Sequence, residues 1–143
     1  MKIVLDTNVL VSGLLTPFGS PAEIVRMVAA GIIELCYDVR ILTEYGNVLK
    51  RPRFQFDPEK IDILLGQIEY YGSLVAAEPF SDPLPDESDK PFLEVAIACE
   101  TRYLVTGNIK HFPDTLKHRV RIVTASEFLS EYGKEKSEIG KKT

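Results

Sequence analysis

Three carboxylates in this chain stand where a polar group meets apolar patterning. Asp6 ends the apolar run Ile3-Val4-Leu5. Glu44 lies three residues after Ile41 and four before Val48, so in a helix it shares their apolar face. Asp89 closes the stretch Asp82-Pro83-Leu84-Pro85-Asp86-Glu87-Ser88-Asp89 just before an apolar helix, with Asp86 as the second choice there. A carboxylate on a semi-buried face is costly without a positive partner, and a metal ion supplies one. Hard divalent cations take oxygen ligands, and magnesium needs only a few carboxylates beside its waters. Such an ion lowers the pKa of a bound water and neutralises charge on a phosphoryl group. Each acid also has an ordinary role open to it: Asp6 as a helix cap, Glu44 as a solvated side chain, the loop acids as companions of a helix N-terminus.

Other chemistries lack their residues. His111 and His118 are isolated and read as solvent-facing, so zinc has no His/Cys cluster to bind. There is no Gly-rich phosphate loop and no Gly-x-Ser-x-Gly elbow. A phosphatase of the haloacid-dehalogenase type needs Asp-x-Asp, and the third position here is Asn8. A response-regulator receiver wants adjacent acids early in the chain, where this one has a single Asp. The formal net charge of −4 lacks the basic footprint usual for nucleic-acid binders. Charge is local to a site, however, and an acidic cluster can face phosphate through its metal. Two basic groups, Lys50/Arg51/Arg53 and Lys117/His118/Arg119/Arg121, are candidates to grip phosphates in a salt-dependent way; a solvated surface is their ordinary reading.

The elements that must position these residues alternate in type. Ile3–Leu5 reads as a buried parallel strand. Ser20-Pro21-Ala22-Glu23 reads as an N-cap, a first-turn Pro and a capping Glu, and Gly31 ends that helix. A strand at 32–36, a helix at 39–50 closed by Pro52, and a helix opened by Asp57-Pro58 with Ile61, Leu64, Leu65 and Ile68 inward come next. A short strand at 74–77 leads to a proline-rich acidic loop, then to a helix burying Phe92, Val95, Ala96 and Cys99. Strands at 103–106 and 120–123 follow, and Thr124-Ala125-Ser126-Glu127 is a second capping box. Alternating strands and helices predict an α/β sandwich with a mostly parallel sheet. Ligands of such sheets bind at the carboxyl ends of the strands. Asp6, Thr106 and Asn108 all fall at that edge, although Gly107-Asn108 is also ordinary turn chemistry.

The length of 143 residues and the 45% hydrophobic content fit one domain, placed at 1–131, with 132–143 as a flexible polar tail. Cys36 and Cys99 have no paired spacing and read as two separate reduced core thiols. The N-terminal apolar run is too short for a signal peptide, and no stretch is long enough to span a membrane. A cytoplasmic protein is the expectation.

Four segments together resemble the PIN-domain ribonucleases, in particular the VapC-like toxin components of bacterial and archaeal toxin–antitoxin pairs. They are Val4-Leu5-Asp6-Thr7-Asn8-Val9-Leu10, Leu42-Thr43-Glu44, Asp86 to Ala96, and Leu104-Val105-Thr106-Gly107-Asn108 with His111-Phe112 beyond. The resemblance runs from Met1 to about Leu129. It implies a three-layer α/β sandwich and hydrolysis of single-stranded RNA with Mg2+ or Mn2+. Carried over, the catalytic residues are Asp6, Glu44, Asp89 and Asn108, and Asp86 joins them as a metal ligand. Thr7, Asn8, Thr106, Lys50, Arg51 and Arg53 would touch substrate. Many members have Asp where this chain has Asn108, so a second metal would bind weakly and a one-metal mechanism comes into play. The implied partners are RNA, a cognate antitoxin and a second copy of the chain, with Ile63 and Tyr70 as spare apolar residues. The alternative is a catalytically weak or inactive PIN-like domain that binds RNA or protein.

Overall fold

A computed structural model describes residues 1–113, 116 and 119–142, with side chains to Lys136. Its centre is a five-stranded parallel sheet in the order β3-β2-β1-β4-β5. The strands are β1 (Lys2–Leu5), β2 (Glu34–Tyr37), β3 (Ser73–Leu74), β4 (Tyr103–Val105) and β5 (Arg121–Val123). The helices are α1 (Thr7–Leu15), α2 (Ser20–Ala29), α3 (Val39–Leu49), α4 (Pro58–Tyr71), α5 (Lys90–Ala98) and α6 (Ala125–Lys142). This is the α/β sandwich that the alternating pattern predicts. No helix among the described residues is long and apolar enough to cross a membrane.

Local chemistry explains most boundaries. Asp38 caps α3 by accepting from Ile41 N at 3.0 Å, and Asp57 caps α4 by accepting from Glu59 N at 3.0 Å. Thr124 caps α6, its hydroxyl accepting from Glu127 N at 3.1 Å. The cap of α2 differs from expectation. Gly19, with φ +112°, precedes the helix and Ser20 is already its first residue. Gly31 ends that region with φ +77°, and a Cβ there would lie 2.5 Å from the Tyr71 ring, so only glycine serves. The segment read as a polar tail is helical, since α6 continues to Lys142. A 3-10 turn, Glu87–Asp89, feeds directly into α5.

Strand order turns the chain in opposite directions on the two sides of β1. From β1 it moves outward to β2 and β3; it then returns to β4 on the other flank. The crevice between the carboxyl ends of β1 and β4 is therefore the switch point at which open parallel sheets bind ligands. In register, Leu5 lies beside Val105, and Asp6 N donates to Val105 O at 2.9 Å. Asp6 and Thr106 thus leave the sheet side by side.

The core is continuous across the sheet, with Ile3, Val4, Leu5, Leu35, Leu104 and Val105 fully buried. Tyr45 of α3 is also fully buried. Its hydroxyl donates to Leu5 O, and its ring lies 6.3 Å from that of Phe92 in α5. A buried tyrosine hydroxyl needs such a partner. The contact joins β1, α3 and α5, each of which carries one of the expected acids within three residues of it. Cys36 and Cys99 correct the expectation of two separate thiols. They form a disulfide with Cα atoms 6.6 Å apart, because α5 packs across β2 and brings its last turn over that strand. Pairing across 63 residues left no local spacing to read.

Candidate metal centre

Asp6 is the N-cap residue of α1, yet its side chain makes no capping hydrogen bond. Its Oδ2 accepts instead from Thr106 Oγ1 at 2.7 Å. The Thr106 oxygen in turn accepts from Asn108 N at 3.0 Å. Glu44 sits one residue before the buried Tyr45, and its carboxylate accepts from the Thr7 hydroxyl. Two of the expected acids are therefore oriented by hydroxyls from the first residues past β1 and β4.

The third arm comes from the loop before α5. Asp89 is buried, makes no cap bond, and has Oδ2 3.1 Å from His111 Nδ1. Asp86 is exposed and does cap, accepting from Ser88 N at 2.9 Å and from Ser88 Oγ at 2.7 Å. One ligand atom from each of Asp86, Asp89 and His111 falls within a 4.8 Å group. His111 corrects the reading of an isolated, solvent-facing histidine. It is half-buried, because the 3-10 turn Ile109–His111 after Asn108 folds it back over Asp89. Nothing local announced that contact; only the two segments' common position at the crevice would have.

A cleft of about 250 Å³ is lined by Asp6, Thr7, Asn8, Glu44, Arg51, Arg53, Asp86, Asp89, Asn108 and His111. Two residues expected to touch substrate stand elsewhere. Thr106 is fully buried beneath Asp6 with its hydroxyl already engaged. Lys50 pairs with Asp62 of α4 at 2.6 Å and does not line the cleft. In the second basic group, Arg121 pairs with Glu131, Arg119 lines another cavity, and Lys117 and His118 lie outside the described residues.

At Asp6 and Asp89, burial outweighs the positive charge nearby. Burial raises the Asp6 carboxyl above its ordinary range, against the pull of the Thr106 hydroxyl. Burial also raises Asp89, the negative charge of Asp6 adds to it, and His111 opposes both. A divalent ion would relieve both effects. The donors fit one: carboxylate oxygens suit Mg2+ or Mn2+, and an imidazole at the rim suits Mn2+ better than Mg2+.

A family model described as the PIN domain matches residues 2–110. The chain belongs to the PIN-domain family. That match covers β1 through Asn108 and so holds every expected acid. The PIN fold recurs in a solved structure described as VapBC2 from Rickettsia felis bound to a DNA fragment from their promoter. That chain shares 18% identity at a TM-score of 0.52, over 87% of the present chain and 97% of its own. No curated protein matches this one.

Proposed function

We propose that this PIN-domain protein is a metal-dependent endoribonuclease that hydrolyses single-stranded RNA, and that it is the toxin of a toxin–antitoxin pair. The observation that carries the reading is the meeting of Asp6, Glu44 and Asp89 in one cleft at the switch point of a parallel sheet. The VapBC2 neighbour supports an antitoxin partner, and a cytoplasmic homodimer is the expected setting.

Asp6 and Asp89 would hold the ion, with Glu44 across the cleft and Asp86 and Asn108 at its edge. When bound, Mg2+ or Mn2+ supplies an activated water and charge neutralisation for the phosphoryl oxygens. Thr106 fixes Asp6 and Thr7 fixes Glu44, as outer partners of metal ligands do. His111 holds Asp89 in its rotamer. Arg51 and Arg53 line the same cleft and would grip the RNA backbone on the α3 side. Asn108 contributes a carbonyl oxygen and no charge, which favours one strongly held ion over two.

The test is cleavage of a labelled single-stranded RNA in Mg2+ or Mn2+. Activity that persists in EDTA would sink the reading. Asn108 is also what favours the second reading, a weak or inactive domain that binds RNA or protein. Retained RNA binding with no cleavage in either metal would select it. Co-purification with the product of an adjacent small gene, with loss of cleavage in the complex, tests the toxin role separately.

A further inference from the structure

Beside the acidic cleft lies a second, larger cavity of about 500 Å³, and the two share Asn8 and Asn108 as a common wall. Its volume is in the range of small-molecule sites. Its character is opposite to that of its neighbour, since no charged side chain lines it. The hydroxyls of Ser12, Ser20 and Ser126 supply donors and acceptors, and Val9 and Pro21 supply apolar surface. The Gly107 backbone forms part of the wall, with open space where a side chain would project.

We propose that this cavity is a nucleotide subsite, which seats the base and ribose of the RNA residue next to the scissile phosphate. The proposal rests on the nuclease reading above and adds to it a place and a chemistry for substrate selection. A phosphate held over Asp6 and Asp89 has its next nucleotide one residue away, and the shared wall at Asn8 and Asn108 is where the chain would cross. Arg51 and Arg53 line the cleft together with the acids, whereas the adjoining cavity is uncharged. RNA has the same asymmetry, with charge in its backbone and neutral hydrogen-bonding edges in its bases. Single-stranded RNA is recognised by splayed bases that find apolar faces and hydrogen bonds to their edges. Hydroxyl and amide groups beside Val9 and Pro21 meet both needs. A peptide occupant would also find apolar surface, but nothing at the cavity favours a peptide over the substrate that the adjoining cleft delivers.

The experiment separates the cavity from the metal. AMP is titrated into the 15N-labelled protein in EDTA while the amides of Gly107, Ala125 and Ser126 are followed. Saturable shifts there, with the amides of Glu44 and Asp89 unmoved, are expected. Adenosine and inorganic phosphate run separately tell which half of the nucleotide is read. Gly107→Leu adds bulk at the cavity wall, where a Cβ meets open space, and Ser126→Trp adds it from an exposed helical position. Both should abolish the AMP shifts and raise KM for RNA by about tenfold while kcat holds, the mark of lost uniform binding. If AMP leaves these amides unmoved, or both folded variants keep wild-type KM, the subsite is overturned while the nuclease reading stands. If AMP binds there and no metal supports cleavage, the cavity is still a nucleotide site, but the nuclease reading falls and with it the assignment to a scissile phosphate. Shifts that arise only with an apolar peptide also overturn the proposal.

Discussion

Two sets of buried carboxylates share this fold, and they are neutralised in opposite ways. Glu94, on α5, accepts from Arg40 Nη1 at 2.7 Å and from Phe80 N at 2.6 Å. Arg40 also pairs with Asp38 at the start of α3. The chain itself supplies the cation and the donor, and the result fastens the loop before Asp86 to α3 and α5. Asp6 and Asp89, about as buried as Glu94, have hydroxyl and imidazole partners instead and repel each other. A carboxylate whose positive charge is built in is a fastener. One that shares a cleft with like charges keeps its place only because rigid elements hold it, and it is ready for an external ion.

The sharpest way to break this comparison is to remove the carboxylate charge at each site. Asp6→Asn should cut RNA cleavage by more than about a hundredfold, since even outer partners of metal ligands are worth 10–100-fold. Circular dichroism should show an unchanged fold. Glu94→Ala should do the reverse and lower stability by about 2–3 kcal/mol, read by urea unfolding. The figure sits below that of a fully buried pair because Arg40 is half-exposed. If Glu94→Ala kept stability and Asp6→Asn lost it, the two roles would be inverted.

The metal response is the next largest effect. In EDTA at neutral pH, ionised Asp6 destabilises the fold, so Asp6→Asn should melt higher than wild type. The sign follows from the raised carboxyl. The folded state then binds the proton more tightly than the unfolded state, and stability falls as pH rises from the unfolded value near 3.8 through the folded one. The gap between variant and wild type should therefore be full above that window and shrink as pH drops into it. Added Mg2+ at a hundredfold excess over Kd should stabilise wild type by about 2.7 kcal/mol, and Asp6→Asn by much less. A wild type that melts above Asp6→Asn without metal, with no response to Mg2+ or Mn2+, would make Asp6 a structural residue.

What was legible in the sequence was local. Asp6 after an apolar run, the Asp57-Pro58 start of α4, and the inward stripe of Phe92, Val95 and Ala96 each follow from a few neighbouring residues. The parallel sheet follows from their alternation, and the edge rule then gathers Asp6, Thr106 and Asn108. What stayed hidden depends on long-range register. His111 reaches Asp89 only because the turn after Asn108 folds back, and Tyr45 meets Leu5 O only once the fold brings α3 to the end of β1. The Cys36–Cys99 pairing needs α5 laid over β2. Glu94 lay within a motif already singled out, but its partner Arg40 is 54 residues away. Lys50 and Arg51 are adjacent in sequence, and only the helix end decides that one turns to α4 and the other to the cleft.

That last divergence gives the smallest and most selective effect. Arg51 lines the acidic cleft, whereas Lys50 is tied to Asp62 on an exposed flank. If the cleft carries RNA, Arg51→Ala removes one phosphate contact. The salt slope of log K for a single-stranded RNA should then fall by about 0.7, the loss expected for one neutralised phosphate on a single strand. Lys50→Ala breaks only a solvent-exposed pair, so stability should change by less than about 1 kcal/mol and the slope should hold. The measurement is fluorescence anisotropy across a salt series, with Ca2+ in place of Mg2+ to slow cleavage. Equal slopes for the two variants would mean that the two positions see the same phosphates. The backbone would then run over the outer face of α3 and α4, away from the acids, and the contrast between a fastened flank and an ion-ready cleft would lose its link to substrate.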